Sequence, residues 1–253
     1  MLISVAQAQL FFLAFARIMA VIIHVPVLGG QTIPNQVRIG LGCVLVMVLV
    51  PWQPLPETAD AVGLVAYAIS LGKEILIGTL IGYSADLMFG ALQIAGAAMS
   101  MGSGFESSRI FNPSMGDAGS AYDQIFVMTA MMVFLIIDGH HLVIIALQRT
   151  FEFMPLNGDL PFGGLDAVVT ATATFITAGI HLSLPVMTAL ILTDLTLGLL
   201  ARVAPQIQVY FLGLPVKVVV ALLAMSFVFT SLVPYLSSLF KTMAENMFLF
   251  LRS

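Results

Sequence analysis

The sequence predicts an all-α membrane protein. Hydrophobic residues make up 60% of the 253 residues and charged residues only 9%, whereas a typical soluble domain has about 25% charged residues. The apolar residues form stretches of roughly 20, the length that a helix needs to cross a hydrocarbon core of about 30 Å. In that medium a helix satisfies its own backbone hydrogen bonds. We therefore expect a single integral-membrane domain over residues 1–253.

The first half of the chain contains three apolar stretches separated by turn-forming residues. The third is too long for one simple span, and we expect a bent helix or two helices that meet near Gly78 or Gly90. A loop rich in Gly and Ser, residues 102–120, follows it. The three stretches cover residues 10–28, 37–50 and 61–101.

The second half predicts two shorter segments, two long ones and a terminal helix. The terminal segment, residues 236–251, has apolar residues on one side and Lys241 and Glu245 on the other, which indicates an amphipathic helix. Such a helix lies on a membrane, on a partner or on its own chain. The other segments cover residues 122–137, 142–153, 167–192 and 209–233, and a polar stretch separates the last two.

Charge and cysteine content exclude several functions. The 13 acidic and 9 basic residues give a net charge of −4 and are scattered thinly, so no basic block predicts nucleic-acid binding. Cys43 is the only cysteine, which rules out an intrachain disulfide and a cysteine-based metal cluster. No cofactor is predicted.

One predicted packing ridge lies on the third stretch. Its residues follow one another in steps of four, which on a helix forms a ridge that winds slowly around the axis. Glycines at this spacing let another backbone approach closely, and carboxylates on the ridge are costly to expose to lipid. We expect a tight interface within the chain or between subunits, although Glu74 alternatively pairs with Lys73 or extends to a helix end. The ridge consists of Glu74, Gly78, Gly82, Asp86 and Gly90.

The sequence shows no catalytic apparatus. Asp138, His140 and His141 are residue types that bind zinc, but adjacent histidines point in different directions on a helix, so we predict a turn or helix boundary there. Neither the G-x-S-x-G pattern of serine hydrolases nor a Walker-type glycine loop is present. We therefore expect a protein that is not an enzyme.

The Gly- and Ser-rich loop combines mobility with bulky apolar groups. Its glycines permit movement, and its large side chains suit a segment that occupies a hydrophobic constriction and also leaves it. An ordinary surface loop between two helices is the alternative. The bulky groups are Phe105, Ile110 and Phe111.

A resemblance to a known family rests on a motif in the polar stretch and the segment after it. Residues 194–206 and 211–217 closely resemble the L-G-L-L-x-R-x-A-P-Q and G-x-P signature of the FliR family of flagellar export proteins. Pro205 frees backbone acceptors at a helix break, and the Gln206 amide is able to satisfy them. Arg17, Glu74 with Gly78, and residues 34–38, 111–113 and 139–141 agree as well. The signature residues are Arg202, Pro205, Gln206, Gly213 and Pro215.

The resemblance implies a non-enzymatic subunit of the flagellar type III export gate in the bacterial inner membrane. The family fold is one of long, partly broken helical hairpins, similar to a FliP-like part joined to a FliQ-like part. The implied partners are FliP and FliQ, in a ratio of five to four to one FliR, other export proteins such as FlhB, membrane lipid, and the unfolded flagellar proteins in transit. The family's plug loop corresponds to Phe105, Glu106, Arg109, Ile110, Phe111 and Asn112.

Two alternatives remain at this stage. The injectisome protein SctT shares the general pattern. An ion-coupled transporter of small solutes would instead use intramembrane ionisable residues as relays. The relay residues would be Glu74, Asp86, Asp194 and Lys217.

Overall fold

The structure, a computed structural model, describes residues 5–30, 33–49, 63–104, 121–156, 165–206 and 208–250. These residues form eight helices and no strand, which confirms the predicted all-α fold. The helices are α1 (Val5–His24), α2 (Pro26–Gly29), α3 (Asn35–Leu49), α4 (Leu64–Ser103), α5 (Ala121–Ile136), α6 (Gly139–Phe153), α7 (Leu165–Val203) and α8 (Val209–Leu249).

The third apolar stretch forms one helix rather than two. α4 has 40 residues and continues through Gly78 and Gly90, so of the two expected alternatives the structure excludes two separate helices. Glycine in a helix costs only about 1 kcal/mol relative to alanine. Two isolated glycines are therefore too weak to end a long apolar helix.

The two last helices extend beyond their predicted ends. α7 continues through the polar residues Asp194 and Arg202 to Val203, and α8 joins the predicted segment 209–233 to the predicted terminal helix. The prediction of a separate terminal helix was therefore wrong. α8 contains Pro234 in its interior, and apolar helices tolerate proline where neighbouring groups take up the freed carbonyl.

Four described helices are long and apolar enough to cross a membrane: α1, α4, α7 and α8. The interrupted pair α5 and α6 adds a fifth candidate if the two form one broken span. α3 is apolar but has only 15 residues, fewer than the 17 to 25 or so that a span needs.

The chain folds into two compact units. The first contains Met1–Leu87, Asp138–Thr172 and Phe240–Ser253, and the second contains Met88–Ile137 and Ala173–Leu239. α4, α7 and α8 each contribute residues to both units. Because the units share three helices, the expected single domain stays a prediction.

The core of the first unit forms where α1 packs on α3 and α4. Gly42 of α3 lies directly beneath α1, where a Cβ atom would be 2.6 Å from the Met19 sulfur and 3.0 Å from the Phe15 ring. Leu13, Ile18 and other apolar residues of α1 are buried. Small residues thus let these helices approach closely.

The second unit packs in the same way. Gly179 of α7 lies against the Ala91 carbonyl of α4, where a Cβ would overlap that oxygen. Gly102 of α4 in turn lies under α7. The rings of Phe126 and Phe229 stack with their centroids 5.9 Å apart and join α5 to α8.

Candidate functional site

A buried arginine lies at the centre of the first unit. Arg17 of α1 is fully buried, and its Nε donates a hydrogen bond of 2.5 Å to the Glu74 carboxylate of α4, which is also buried. Nη1 donates to the carbonyl oxygens of Met154 at 2.8 Å and Thr150 at 3.3 Å. The guanidinium lies over the Phe151 ring, 4.6 Å from its centroid. One side chain thus joins three helices.

The end of α6 supplies the carbonyls that bind this arginine. Thr150 belongs to its last turn and Met154 is its C-cap residue. The Thr150 carbonyl already accepts the Met154 N–H at 2.9 Å, and the carbonyls at a helix C-terminus carry partial negative charge. A cation at this point is stabilised both by Glu74 and by the helix end.

The two central glycines of the predicted ridge lie against α1. A Cβ at Gly78 would overlap the Arg17 carbonyl oxygen and lie 2.7 Å from the Ala20 Cβ. A Cβ at Gly82 would lie 2.7 Å from the His24 Cβ. Only glycine permits such a close approach. The ridge therefore packs against α1 of the same chain.

A second polar contact lies at the other end of the ridge. The Asp86 carboxylate is 3.8 Å from Nε2 of His24, the last residue of α1. Gly90 differs from the rest of the ridge, because a Cβ there would meet no atom within 4 Å. α1 ends opposite Asp86, so its backbone does not reach the next turn of α4.

Contacts along the ridge occur in the same order in both helices. Arg17 meets Glu74, and His24 meets Asp86, so α1 and α4 run in the same direction where they touch.

The sequence predicted the ridge because its spacing is local. It did not predict Arg17 and His24 as the partners, although an arginine in an apolar helix signals that an acidic partner is needed.

An ion pair between described residues of the second unit lies near the family signature. Lys217 of α8 donates to the Asp194 carboxylate of α7 at 2.5 Å, and both side chains are partly exposed. Gly213 lies one turn before the lysine, where a Cβ would be 3.3 Å from Leu197. The pair thus joins α7 and α8 on either side of the A-P-Q segment.

The signature residues occupy the connection between α7 and α8 and the start of α8. Arg202 is exposed in the last turn of α7, and Pro205 and Gln206 follow the end of that helix. Gln206 is exposed, and the role of its amide at the helix break stays a prediction. Pro215 lies within α8, past its first turn.

Asp138, His140 and His141 mark a helix boundary, as predicted. Asp138 has a φ of 56°, in the left-handed region, and α6 begins at the next residue. The two rings are nevertheless close, with centroids 4.2 Å apart. The expectation that adjacent histidines diverge was therefore wrong here, because the first helical turn leaves both side chains free to turn toward Asp138.

The predicted plug residues lie outside the described residues. They are Phe105, Glu106, Arg109, Ile110, Phe111 and Asn112, in the gap between 104 and 121.

The four residues proposed as transporter relays are each close to a group of opposite charge or to histidine. Glu74 bonds to Arg17, Asp194 bonds to Lys217, and Asp86 faces His24. A salt bridge with both members in place neutralises its own charge. This arrangement favours a role in holding helices together over the relay hypothesis.

Comparison with known proteins gives one family. A family model described as "Bacterial export proteins, family 1" matches residues 8–243. The chain is 31% identical to the flagellar biosynthetic protein FliR of Pectobacterium carotovorum over 231 residues, which cover 91% of this chain and 88% of the relative. It is 29% identical to the FliR protein of Bacillus subtilis over 216 residues, which cover 83% and 82% of the two chains.

A more distant match belongs to a secretion system. The secretion system apparatus protein SsaT of Salmonella typhimurium is 29% identical over 154 residues, which cover 60% of each chain. The family model spans nearly the whole sequence, including Arg17, the ridge and the signature residues. The chain therefore belongs to family 1 of the bacterial export proteins, the family of the FliR proteins.

Proposed function

We propose that the chain is the FliR-type subunit of a flagellar type III export gate. Membership of an export-protein family, together with four to five helices of membrane-spanning length, makes it a membrane component of a protein export apparatus. The proposal adds the partners, FliP and FliQ in a ratio of five to four to one copy of this chain, and the location, the bacterial inner membrane. Unfolded flagellar proteins would pass through the shared pore, with help from other export proteins such as FlhB.

Helix length is the observation that carries the proposal. α4, α7 and α8 have 40, 39 and 41 residues, and at 1.5 Å per residue each is about 60 Å long. The hydrocarbon core is about 30 Å thick. If tilting alone kept such a helix within the hydrocarbon core, its axis would have to tilt by about 60° from the membrane normal. The observed range of tilt angles is roughly 0 to 40°. Part of each helix therefore lies outside the hydrocarbon.

The ends of these helices are apolar and exposed within the chain. Leu64 at the start of α4 and Val203 at the end of α7 are each 83% exposed. A row of exposed apolar residues also runs along α7. It consists of Ile176, Ile180, Leu184, Ile191, Leu195, Leu199 and Val203. Apolar surface that lies outside lipid needs a protein cover. Long apolar helices of partner subunits fit this requirement.

The relatives favour the flagellar system over the injectisome. The FliR proteins of Pectobacterium carotovorum and Bacillus subtilis align with more than four-fifths of the chain. The match to SsaT covers 60%. We therefore place the injectisome role second.

Purification through a tag on this chain tests the proposed assembly. The chain should be extracted in mild detergent together with FliP and FliQ, and the mass of the intact complex should correspond to one tagged copy. Expression without the partners should reduce its yield, because the exposed apolar ends would be uncovered. A stable complex that contains only copies of this chain would contradict the proposal.

The same measurement separates the gate from the ion-coupled transporter. A transporter should be stable alone or as a symmetric oligomer and should move a small solute in liposomes. Solute uptake by the purified chain without companions would support that alternative and refute the gate.

We also propose that the loop from Phe105 to Asn112 plugs the closed pore. Replacing Phe105, Ile110 and Phe111 with glycine should raise the ion conductance of the closed complex in planar bilayers and leave export intact, because bulky apolar groups exclude water and ions from a constriction. The matched control replaces Ser107, Ser108 and Ser114 with glycine. It increases loop flexibility equally without removing apolar bulk. Unchanged conductance after replacement of Phe105, Ile110 and Phe111 would refute the proposed plug.

A further inference from the structure

The imidazole of His24 has one nitrogen bonded and the other directed at a carboxylate. Nδ1 lies 2.7 Å from the carbonyl oxygen of Ala20, one turn earlier in α1. Because a carbonyl only accepts, Nδ1 carries the ring proton of the neutral form. Nε2 then holds a lone pair and lies 3.8 Å from Oδ2 of Asp86, which is longer than a hydrogen bond.

The backbone fixes the position of this histidine. Gly82 lies one turn before Asp86 on α4, and its missing side chain leaves the space that the His24 Cβ occupies. His24 is also the last residue of α1. The carbonyls at a helix C-terminus carry partial negative charge, so this side chain lies between the helix end and the Asp86 carboxylate.

No other described charge on these helices competes for the pair. Arg17 and Glu74 bind each other at the opposite end of the ridge. Arg38, the one cation of α3, donates to the carbonyls of Gly30 and Ile33. On α4, Lys73 lies 13 residues before Asp86, more than three turns away, and the uncharged Tyr83 is next to Gly82.

We propose that His24 and Asp86 form a proton-binding site that fastens the end of α1 to α4. A hydronium ion gives its proton to Nε2: one N–H bond forms, one O–H bond breaks and a water molecule leaves. The net charge of the pair changes from −1 to 0. The new N–H donates to Oδ2 of Asp86, and the two atoms approach by about 1 Å to reach the roughly 2.8 Å of a charged hydrogen bond.

The site makes the end of α1 sensitive to pH. Histidine changes its charge between about pH 5 and 8. On the acid side the last turn of α1 is tied to α4 and resists opening. On the alkaline side the carboxylate loses its donor and the turn is held only by packing against Gly82.

Hydrogen exchange of the purified membrane complex tests the proposal directly. The readout is the exchange of amides in residues 20–29, corrected for the intrinsic pH dependence of the exchange reaction. In the wild type this segment should exchange about tenfold more slowly at pH 6 than at pH 8, as expected for gain of one charged hydrogen bond. A segment of α8 serves as the internal reference.

Two variants separate protonation from packing. In His24→Gln the amide donates to Asp86 at every pH, and in Asp86→Asn the amide donates to the neutral Nε2. Both should lose the tenfold difference. His181→Gln, which changes an exposed histidine of α7, should keep it.

The wild-type measurement is sufficient to overturn the proposal if either substitution prevents assembly. Equal protection of residues 20–29 at pH 6 and pH 8, relative to α8, would refute it. So would an unchanged pH difference in His24→Gln. The measurement follows α1 itself, and its outcome does not depend on the proposed export role.

Discussion

Replacing Arg17 tests the central contact of the first unit. In Arg17→Met a side chain of similar length keeps the apolar contacts of α1 but leaves the Glu74 carboxylate buried without its cation, at 1% exposure. The Met154 carbonyl loses its bond from Arg17 as well, whereas the Thr150 carbonyl keeps the bond from the Met154 N–H. We expect the first unit to be strongly destabilised.

The magnitude follows from the burial of both partners. Removal of one member of a buried ion pair costs about 3 to 5 kcal/mol, because the remaining charge stays desolvated. A loss of about 4 kcal/mol corresponds to a factor of roughly 1,000 in the folding equilibrium. Since domains are stable by only about 5 to 15 kcal/mol, this single change approaches the whole stability of a unit.

The sole cysteine of the chain supplies the assay. Cys43 lies on α3, which packs on α1, and it is partly buried. Maleimide labelling of Cys43, measured by mass spectrometry as temperature rises, should report opening of this unit. Arg17→Met should label at a much lower temperature than the wild type. Lys241→Met, which removes an exposed charge from α8, should change the free energy by less than about 0.5 kcal/mol.

A double variant decides whether loss of the Arg17 charge beside the Glu74 carboxylate causes the loss of stability. Arg17→Met combined with Glu74→Leu removes both charges and restores apolar packing, so it should be at least about 2 kcal/mol more stable than Arg17→Met alone. If the double variant opens at the same temperature as the single variant or below it, the explanation by loss of the Arg17 charge beside a buried carboxylate is wrong.

Three further predictions concern helix contacts. Gly82→Leu should sharply reduce the amount of chain in the membrane, because its side chain meets the backbone of α1, whereas Gly90→Leu should accumulate like the wild type; equal amounts on an immunoblot would contradict this. Tyr235→Phe removes a 3.2 Å hydrogen bond to a carbonyl of α7 and should cost about 1 kcal/mol in the thermal stability of the second unit. Lys217→Met breaks a partly exposed pair and should cost at most about 1 kcal/mol; a much larger loss would show that partners bury it.

Local patterns in the sequence predicted the helices and the ridge. The spacing of Glu74, Gly78, Gly82 and Asp86 is a property of one helix, and the structure places all four against α1. Predicted helix ends were less accurate. The predicted segments ended before charged residues or prolines, such as Pro234, but Pro234 lies within α8.

The sequence alone did not predict contacts between distant segments. Arg17 and Glu74 are 57 residues apart, and no periodicity relates positions on different helices. The polar stretch around Asp194 is helical, and Lys217 on the next helix supplies the opposite charge. A rule that rejects charges from apolar helices fails wherever a partner of this kind is present.

The division of the chain into two units constrains the order of its synthesis and folding. The first unit is assembled from three separated stretches, the last of which begins at Phe240. Since a chain is synthesised from its N-terminus, residues 1–87 must wait until residues 240–253 have been made before their unit is complete. A nascent chain stopped at residue 239 would contain all of the second unit but would lack part of the first. Removal of residues 240–253 should therefore disturb the unit that contains α1.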